Sequence, residues 1–77
     1  MDKLQGAIIE WVDSCAESGW RPLSDDVGTA NIKSCGILLR CNRTEVVIST
    51  SKSQYGRVMD QLAIPRKAIT KIKRFKL

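Results

Sequence analysis

Apolar residues near the start of the chain recur at the spacing of an α-helix. Positions i, i+4, i+7 and i+11 of this stripe are Leu4, Ile8, Trp11 and Cys15. Asp2 suits the N-terminal cap of such a helix, and Gly19 suits the left-handed residue that follows its last turn. The pattern therefore predicts an amphipathic helix over residues 2–18, with Trp11 in the core.

The next segment, residues 19–34, is rich in turn-forming residues and has no clear apolar period. Pro22 cannot continue a helix, and Gly28 and Asn31 disfavour a long second one. We therefore predict a connection over the whole of this segment.

From position 35 the apolar pattern changes to the period of a strand. The alternate positions that share one face are Cys35, Ile37, Leu39 and Cys41. Asn42 and Arg43 suit a two-residue turn, and residues 44–50 are β-branched almost throughout. These features predict a β-hairpin. Its inner face, including the cysteines, would be covered by the N-terminal helix.

Residues 51–60 fit two different periods. Tyr55, Val58 and Met59 align on one side of a helix. Tyr55, Arg57 and Met59 instead alternate as they would in a strand. We favour a loop followed by a strand, with the helix as the alternative.

The last segment, residues 61–77, also has two interpretations. A helix that begins after Pro65 would bury a narrow apolar seam. That seam would consist of Ile69, Ile72 and Phe75, with Ala68 beside it. The alternative is a strand that ends near Ile64, a tight turn over residues 66–68 and an edge strand over residues 70–75. Lysine-rich edges keep sheets from sticking to one another, so in that case the charge is explained by solubility alone.

Together these elements predict one domain over residues 1–77 of the α+β class. The N-terminal helix would pack on a small antiparallel sheet. Residues 36–42 (Gly-Ile-Leu-Leu-Arg-Cys-Asn), 44–50 (Thr-Glu-Val-Val-Ile-Ser-Thr) and 64–72 (Ile-Pro-Arg-Lys-Ala-Ile-Thr-Lys-Ile) resemble the Sm-like proteins of the Hfq and LSm kind. The resemblance implies a capping helix on a strongly bent antiparallel sheet or barrel of the SH3/Sm-like kind, closed by a short strand. It assigns no functional residue.

Charge is distributed unevenly along the chain. The 77 residues carry 13 basic and 8 acidic side chains, a net charge of +5. Residues 1–34 hold six acidic and three basic residues, a net charge of −3, whereas residues 35–77 hold two acidic and ten basic residues, a net charge of +8. This asymmetry predicts one acidic face and one basic face, and the basic face suits a polyanion.

The sequence holds few residues from which a catalytic or metal site could be built. It has no histidine, and its three cysteines form no CxxC pair. Its five glycines are isolated, so no phosphate-binding loop is present. These observations predict a non-enzymatic binding module without metal or cofactor. Reduced cysteines and the lack of an apolar run long enough to span a membrane predict a soluble, cytoplasmic protein.

Two function classes fit the basic half. In the first, basic side chains contact nucleic-acid phosphates, either RNA or DNA, and Tyr55 stacks on a base. The candidate residues are Arg40, Arg43, Lys52, Tyr55, Arg57, Arg66, Lys67, Lys71, Lys73 and Arg74. In the second, the same surface docks an acidic patch on a protein partner as a regulator would. A third interpretation is that the charge only solvates a small module, which we expect to form homo-oligomers because its core is small.

Overall fold

The computed structural model of the protein describes residues 4–14, 20 and 28–77. These residues form seven strands and a single 3₁₀ turn at Arg66–Ala68. The strands are β1 (Gln5–Asp13), β2 (Ala30–Cys41), β3 (Glu45–Ser49), β4 (Ser51–Lys52), β5 (Val58–Met59), β6 (Leu62–Pro65) and β7 (Ile69–Lys76).

Five of the strands form one antiparallel sheet in the order β6-β3-β2-β1-β7. The last strand of the chain therefore lies beside the first, and the outer strands of the sheet are β6 and β7. Strands β4 and β5 pair only with each other and form a short ribbon. This ribbon, together with the turn that joins its strands, is called the arm below and comprises residues 51–59.

The predicted N-terminal helix is wrong, and so is the α+β class: within the described part of the chain the fold is all-β. β1 occupies Gln5–Asp13, while residues 2, 3 and 15–18 of the predicted helix lie outside the described residues. The physical reason is that β1 lies between β2 and β7 and has apolar residues on both faces. Ile9 is fully buried on one face and Ile8 is half-buried on the other. A strand with apolar residues on both faces also matches a helical spacing.

The predicted connection over residues 19–34 is too long. β2 begins at Ala30, and Ala30 and Asn31 pair with Asp13 and Val12 of β1. Pairing with β1 stabilises an extended backbone even where the apolar pattern of β2 is weak. Residues 19 and 21–27 of the predicted connection lie outside the described residues.

The core is formed by apolar side chains on one face of the sheet. Its buried members are Ala7, Ile9, Val46, Ile48 and Ile64, and the partly buried side chains packed against them are Trp11, Leu38, Ile69 and Ile72. The predicted contact of Trp11 with the core is therefore confirmed. Its indole Nε1–H donates a hydrogen bond of 3.1 Å to Ser34 Oγ on the neighbouring strand. A buried indole nitrogen needs such a partner.

The predicted burial of the β2 cysteines is wrong. Cys35 and Cys41 are exposed free thiols, and Leu38 contacts the core instead. Pairing of Gly36 with Ala7 places the even-numbered residues on the core face, and a register shift between Leu38 and Arg40 then interrupts the alternation. Because both faces of this strand carry apolar residues, their order alone did not identify the inner one. The third cysteine, Cys15, lies outside the described residues.

The predicted β2–β3 hairpin is confirmed, with a turn one residue longer than expected. The side-chain Oδ1 of Asn42 accepts hydrogen bonds from the backbone N–H of Thr44 and of Glu45, each 2.9 Å long. It also accepts a bond of 2.8 Å from the Thr44 hydroxyl. These bonds hold Thr44 in the turn, so β3 begins at Glu45.

The strand–turn–strand interpretation of the C-terminal segment is confirmed, and the helical alternatives are wrong. β6 ends at Pro65, the 3₁₀ turn follows, and β7 forms an outer strand of the sheet. The favoured loop followed by a strand is confirmed at residues 53–59, where a turn precedes β5, but Ser51 and Lys52 form the unpredicted strand β4 that pairs with β5. Ile69 and Ile72 contact the core, which accounts for the apolar seam.

Candidate nucleic-acid interface

A basic cleft of about 370 Å³ lies where the core face of the sheet meets the arm. Its lining residues are Leu4, Gln5, Leu38, Leu39, Arg40, Cys41, Lys52 and Arg74. The three basic residues come from β2, β4 and β7, which are distant in sequence. We call this the basic cleft.

The strand β7 places Arg74 in the cleft by simple alternation. Ile72 lies opposite Ile9 and packs on the core, and Arg74 lies two residues further along the same face, opposite Ala7. Arg74 therefore lies at the margin of the core, next to Ala7.

Arg40 and Lys52 are positioned by two different features of the backbone. Arg40 follows the register shift in β2, which re-aims side chains relative to a regular strand. Lys52 lies in β4 and pairs with Val58 of β5, so its backbone is fixed at the base of the arm. Arg40 also lies 3.7 Å from Glu45 between its Nη2 and the carboxylate Oε1. Both side chains are more than one third exposed, so this ion pair is weak and leaves Arg40 able to bind an anion.

A second, smaller cleft adjoins the first. It has a volume of about 250 Å³ and is lined by Gln5, Arg74, Phe75 and Lys76. Lys76 follows Arg74 by two residues and lies opposite Gln5, so both cations project from the same face of β7. Among the described residues, those that line the two clefts include no acid.

Three further predicted residues, Arg43, Arg66 and Lys67, lie at the β2–β3 turn and the 3₁₀ turn. The backbone N–H of Arg66 donates a bond of 2.9 Å to the carbonyl oxygen of Thr44, which brings the two turns together. The Arg66 Nη1 lies 3.4 Å from the sulfur of Cys41, a residue that lines the basic cleft. Arg66 therefore stands at the margin of the cleft.

Lys71 and Lys73 are not brought to the basic cleft. They lie opposite Glu10 and Ile8, on the face of β7 away from Ile72. Glu10 also forms an exposed ion pair of 3.8 Å with Lys33, between Oε1 and Nζ. This surface is mixed in charge, and its lysines are explained by the outer position of β7 in the sheet.

Tyr55 and Arg57, the remaining two predicted residues, lie at the tip of the arm. Both are exposed, and Tyr55 has 80% of its surface accessible. Of the ten predicted residues, three thus line one cleft and the others are divided among its margin, the arm and the opposite face.

The sequence interpretation missed Gln5 and Lys76. Gln5 was assigned to a helix, so its pairing with Lys76 was not expected. Lys76 lies one residue beyond the predicted edge strand, and it could have been found by extending the period of two from Arg74. The lining by Leu38 and Leu39 depends on the irregular register of β2, for which the sequence carries no signal we could identify.

The described residues contain no group of three or more cysteine, histidine or acidic side chains that could hold a metal ion. In that same part of the chain, no helix has the length and apolar character needed to cross a membrane. No protein-family model matches this chain, and no match was found among curated proteins or solved structures. The resemblance to Sm-like proteins therefore stays a prediction.

Proposed function

We propose that this protein is a small, basic, non-catalytic module that binds nucleic acid through its phosphate backbone. The observation that supports this proposal is the convergence of Arg40, Lys52 and Arg74 on one cleft. Solubility alone does not require cations from three separate strands to line the same concave surface. The expected homo-oligomer and cytoplasmic location stay predictions.

The chemistry of the cleft suits a backbone better than a base edge. Guanidinium groups bind phosphate oxygens through paired N–H donors, and an ammonium group adds a positive charge without demanding geometry. Each phosphate that is neutralised also releases condensed counterions, which favours binding at low salt. These cations lie beside leucine side chains, which do not select a particular base. A nucleic-acid strand of any sequence would therefore bind in the cleft.

The proposal is tested with a double variant, Arg40→Gln with Arg74→Gln, that removes two cleft charges. Binding of short RNA and DNA strands is measured by fluorescence anisotropy between about 50 and 200 mM salt. We expect the slope of log affinity against log salt to become less steep by about 1.4, at about 0.7 per lost single-strand contact. Affinity should fall alike for all sequences.

The matched control is Lys33→Gln with Lys71→Gln. It removes the same net charge from the face that carries Glu10 and leaves the basic cleft intact. We expect the control to keep the salt slope of the parent protein. If both double variants lose affinity equally, the cleft is not the binding site. If the parent protein binds neither RNA nor DNA at low salt, the acidic protein partner becomes the better hypothesis.

A further inference from the structure

The arm joins the basic cleft to an exposed aromatic ring. Lys52 lines the cleft, and Tyr55 follows it by three residues at the tip of the arm. Three residues span at most about 10 Å, so the Tyr55 backbone cannot lie further than this from the Lys52 backbone. A strand that contacts the cleft would reach the ring within a few nucleotides.

The tip of the arm is held by a dense set of hydrogen bonds around Ser53. The backbone N–H of Ser53 donates to the carbonyl oxygen of Arg57 at 2.8 Å, and that of Gly56 donates to the carbonyl oxygen of Ser53 at 3.1 Å. The Ser53 hydroxyl oxygen also accepts from the backbone N–H of Tyr55 and of Arg57, each at 3.2 Å. The turn is therefore fixed before any ligand arrives.

The turn at the tip of the arm ends directly after Tyr55, whose ring is exposed. Gly56 has φ of +78°, a left-handed conformation that glycine adopts without strain and that ends the turn directly after Tyr55. Tyr55 is 80% exposed, and Arg57 beside it is exposed as well. The arm thus presents a ring and two cations, Lys52 and Arg57, on a rigid backbone.

We infer that the nucleic acid this protein binds is single-stranded, with one base stacked on Tyr55 while its phosphates occupy the basic cleft. This inference rests on the proposed function and adds the class of nucleic acid. Aromatic side chains stack on any unpaired base, because every base has a π-face, whereas the bases of a duplex are already stacked within it. The hydrogen bonds of the turn fix the backbone of Tyr55, so binding has to order only its side chain, which has two rotatable bonds.

The experiment compares three probes that carry a similar number of phosphates: a single strand, the same strand without bases, and a duplex of half the length. We expect the parent protein to bind the base-bearing strand about 5- to 150-fold more tightly than the abasic strand, the range that one stacked base contributes. Tyr55→Ala should abolish that difference, and Tyr55→Phe, which keeps the ring, should retain it.

The matched control is Gln54→Ala, because Gln54 is an exposed, uncharged side chain next to Tyr55 in the same turn. It should keep the preference for the base-bearing strand. Thermal unfolding followed by circular dichroism checks that the variants remain folded, as expected for exposed positions.

The possible results separate the inference from the proposed function. If the parent protein binds all three probes equally and with a salt-dependent affinity, phosphate binding stands and the stacking inference is wrong. If Tyr55→Ala keeps the preference for bases, the stacking site lies elsewhere and the inference is also overturned. If no probe binds at low salt, the proposed function itself fails.

Discussion

Gly36 is a residue whose neighbours leave no room for a side chain. A Cβ atom at this position would lie 2.7 Å from the carbonyl oxygen of Ser49 and 3.2 Å from Cβ of Ile48. The close approach lets β2 and β3 pack tightly beside the buried residues of β3. Glycine in a strand interior is otherwise unfavourable, so a close backbone contact explains its presence here.

Gly36→Ala should destabilise the protein by about 1 to 3 kcal/mol, because the backbone of β3 must move to admit the methyl group. The matched control is Gly28→Ala, where the added Cβ would meet no atom of the described residues within 4 Å. That control should change the free energy of unfolding by less than about 1 kcal/mol. Urea unfolding measures both variants. Equal stability of the two would mean that Gly36 is not a site of close packing.

The cysteines show how far residue-level prediction can go in a sheet. The sequence correctly placed Cys35 and Cys41 in one strand, but both lie exposed. A strand has two faces, and a period of two does not say which is inner when both carry apolar residues. That choice depends on pairing with β1, which was itself assigned wrongly. Thiol labelling should therefore modify both residues rapidly in the folded protein, and slow labelling would contradict their exposure.

At the scale of elements, the helical and the extended interpretation of the N-terminal segment differ in which residues of β1 they bury. The predicted helix had Ile8 on its apolar stripe and Ile9 outside it. In the sheet the order is reversed, because Ile9 is fully buried and Ile8 is half-buried. A helix would therefore be destabilised more by Ile8→Ala than by Ile9→Ala, and the strand more by Ile9→Ala than by Ile8→Ala.

Ile9→Ala should cost about 2 to 5 kcal/mol, which is a large share of the stability of so small a domain. Ile8→Ala removes the same atoms from a half-buried position and should cost about 1 to 2 kcal/mol. Urea unfolding gives both values if the denaturant slope stays constant. A larger loss for Ile8→Ala would favour the helix and contradict the strand.

Elements after residue 35 were predicted better than those before it, for a physical reason. The hairpin at Asn42 is marked by local chemistry, because the Asn side chain caps the turn. Pro65 ended a strand in one interpretation of the last segment, which the structure confirms, and began a helix in the other. β1 has no such marker, and its state is decided by strands that are distant in sequence. The basic residues of the candidate site could be named from the sequence, but their grouping could not, since it needs the pairing of β7 with β1.

At the scale of the whole molecule, charge is polarised along the sheet. Glu10 and Asp13 lie toward the end of β1 that pairs with the start of β2. The opposite end of β1, at Gln5, lies beside Lys76 and lines the basic cleft. A strand of nucleic acid would be attracted to that end more strongly than to the other, where Glu10 is paired with Lys33 and lies opposite Lys71.

This polarity predicts where a bound strand changes the environment of the backbone. In a titration with a short single strand followed by amide chemical shifts, we expect the largest changes at Gln5, Leu39, Lys52 and Lys76, which surround the two clefts. Asn31 lies beside Glu10 and Lys33 in a separate cleft of mixed charge, and its amide shift should stay nearly constant. Raising the salt concentration from about 50 to 200 mM should reduce all the shifts together, because they report one electrostatic contact surface. Changes concentrated around Asn31 would place binding at the wrong end of the sheet, and the basic cleft would then have to be abandoned as the site.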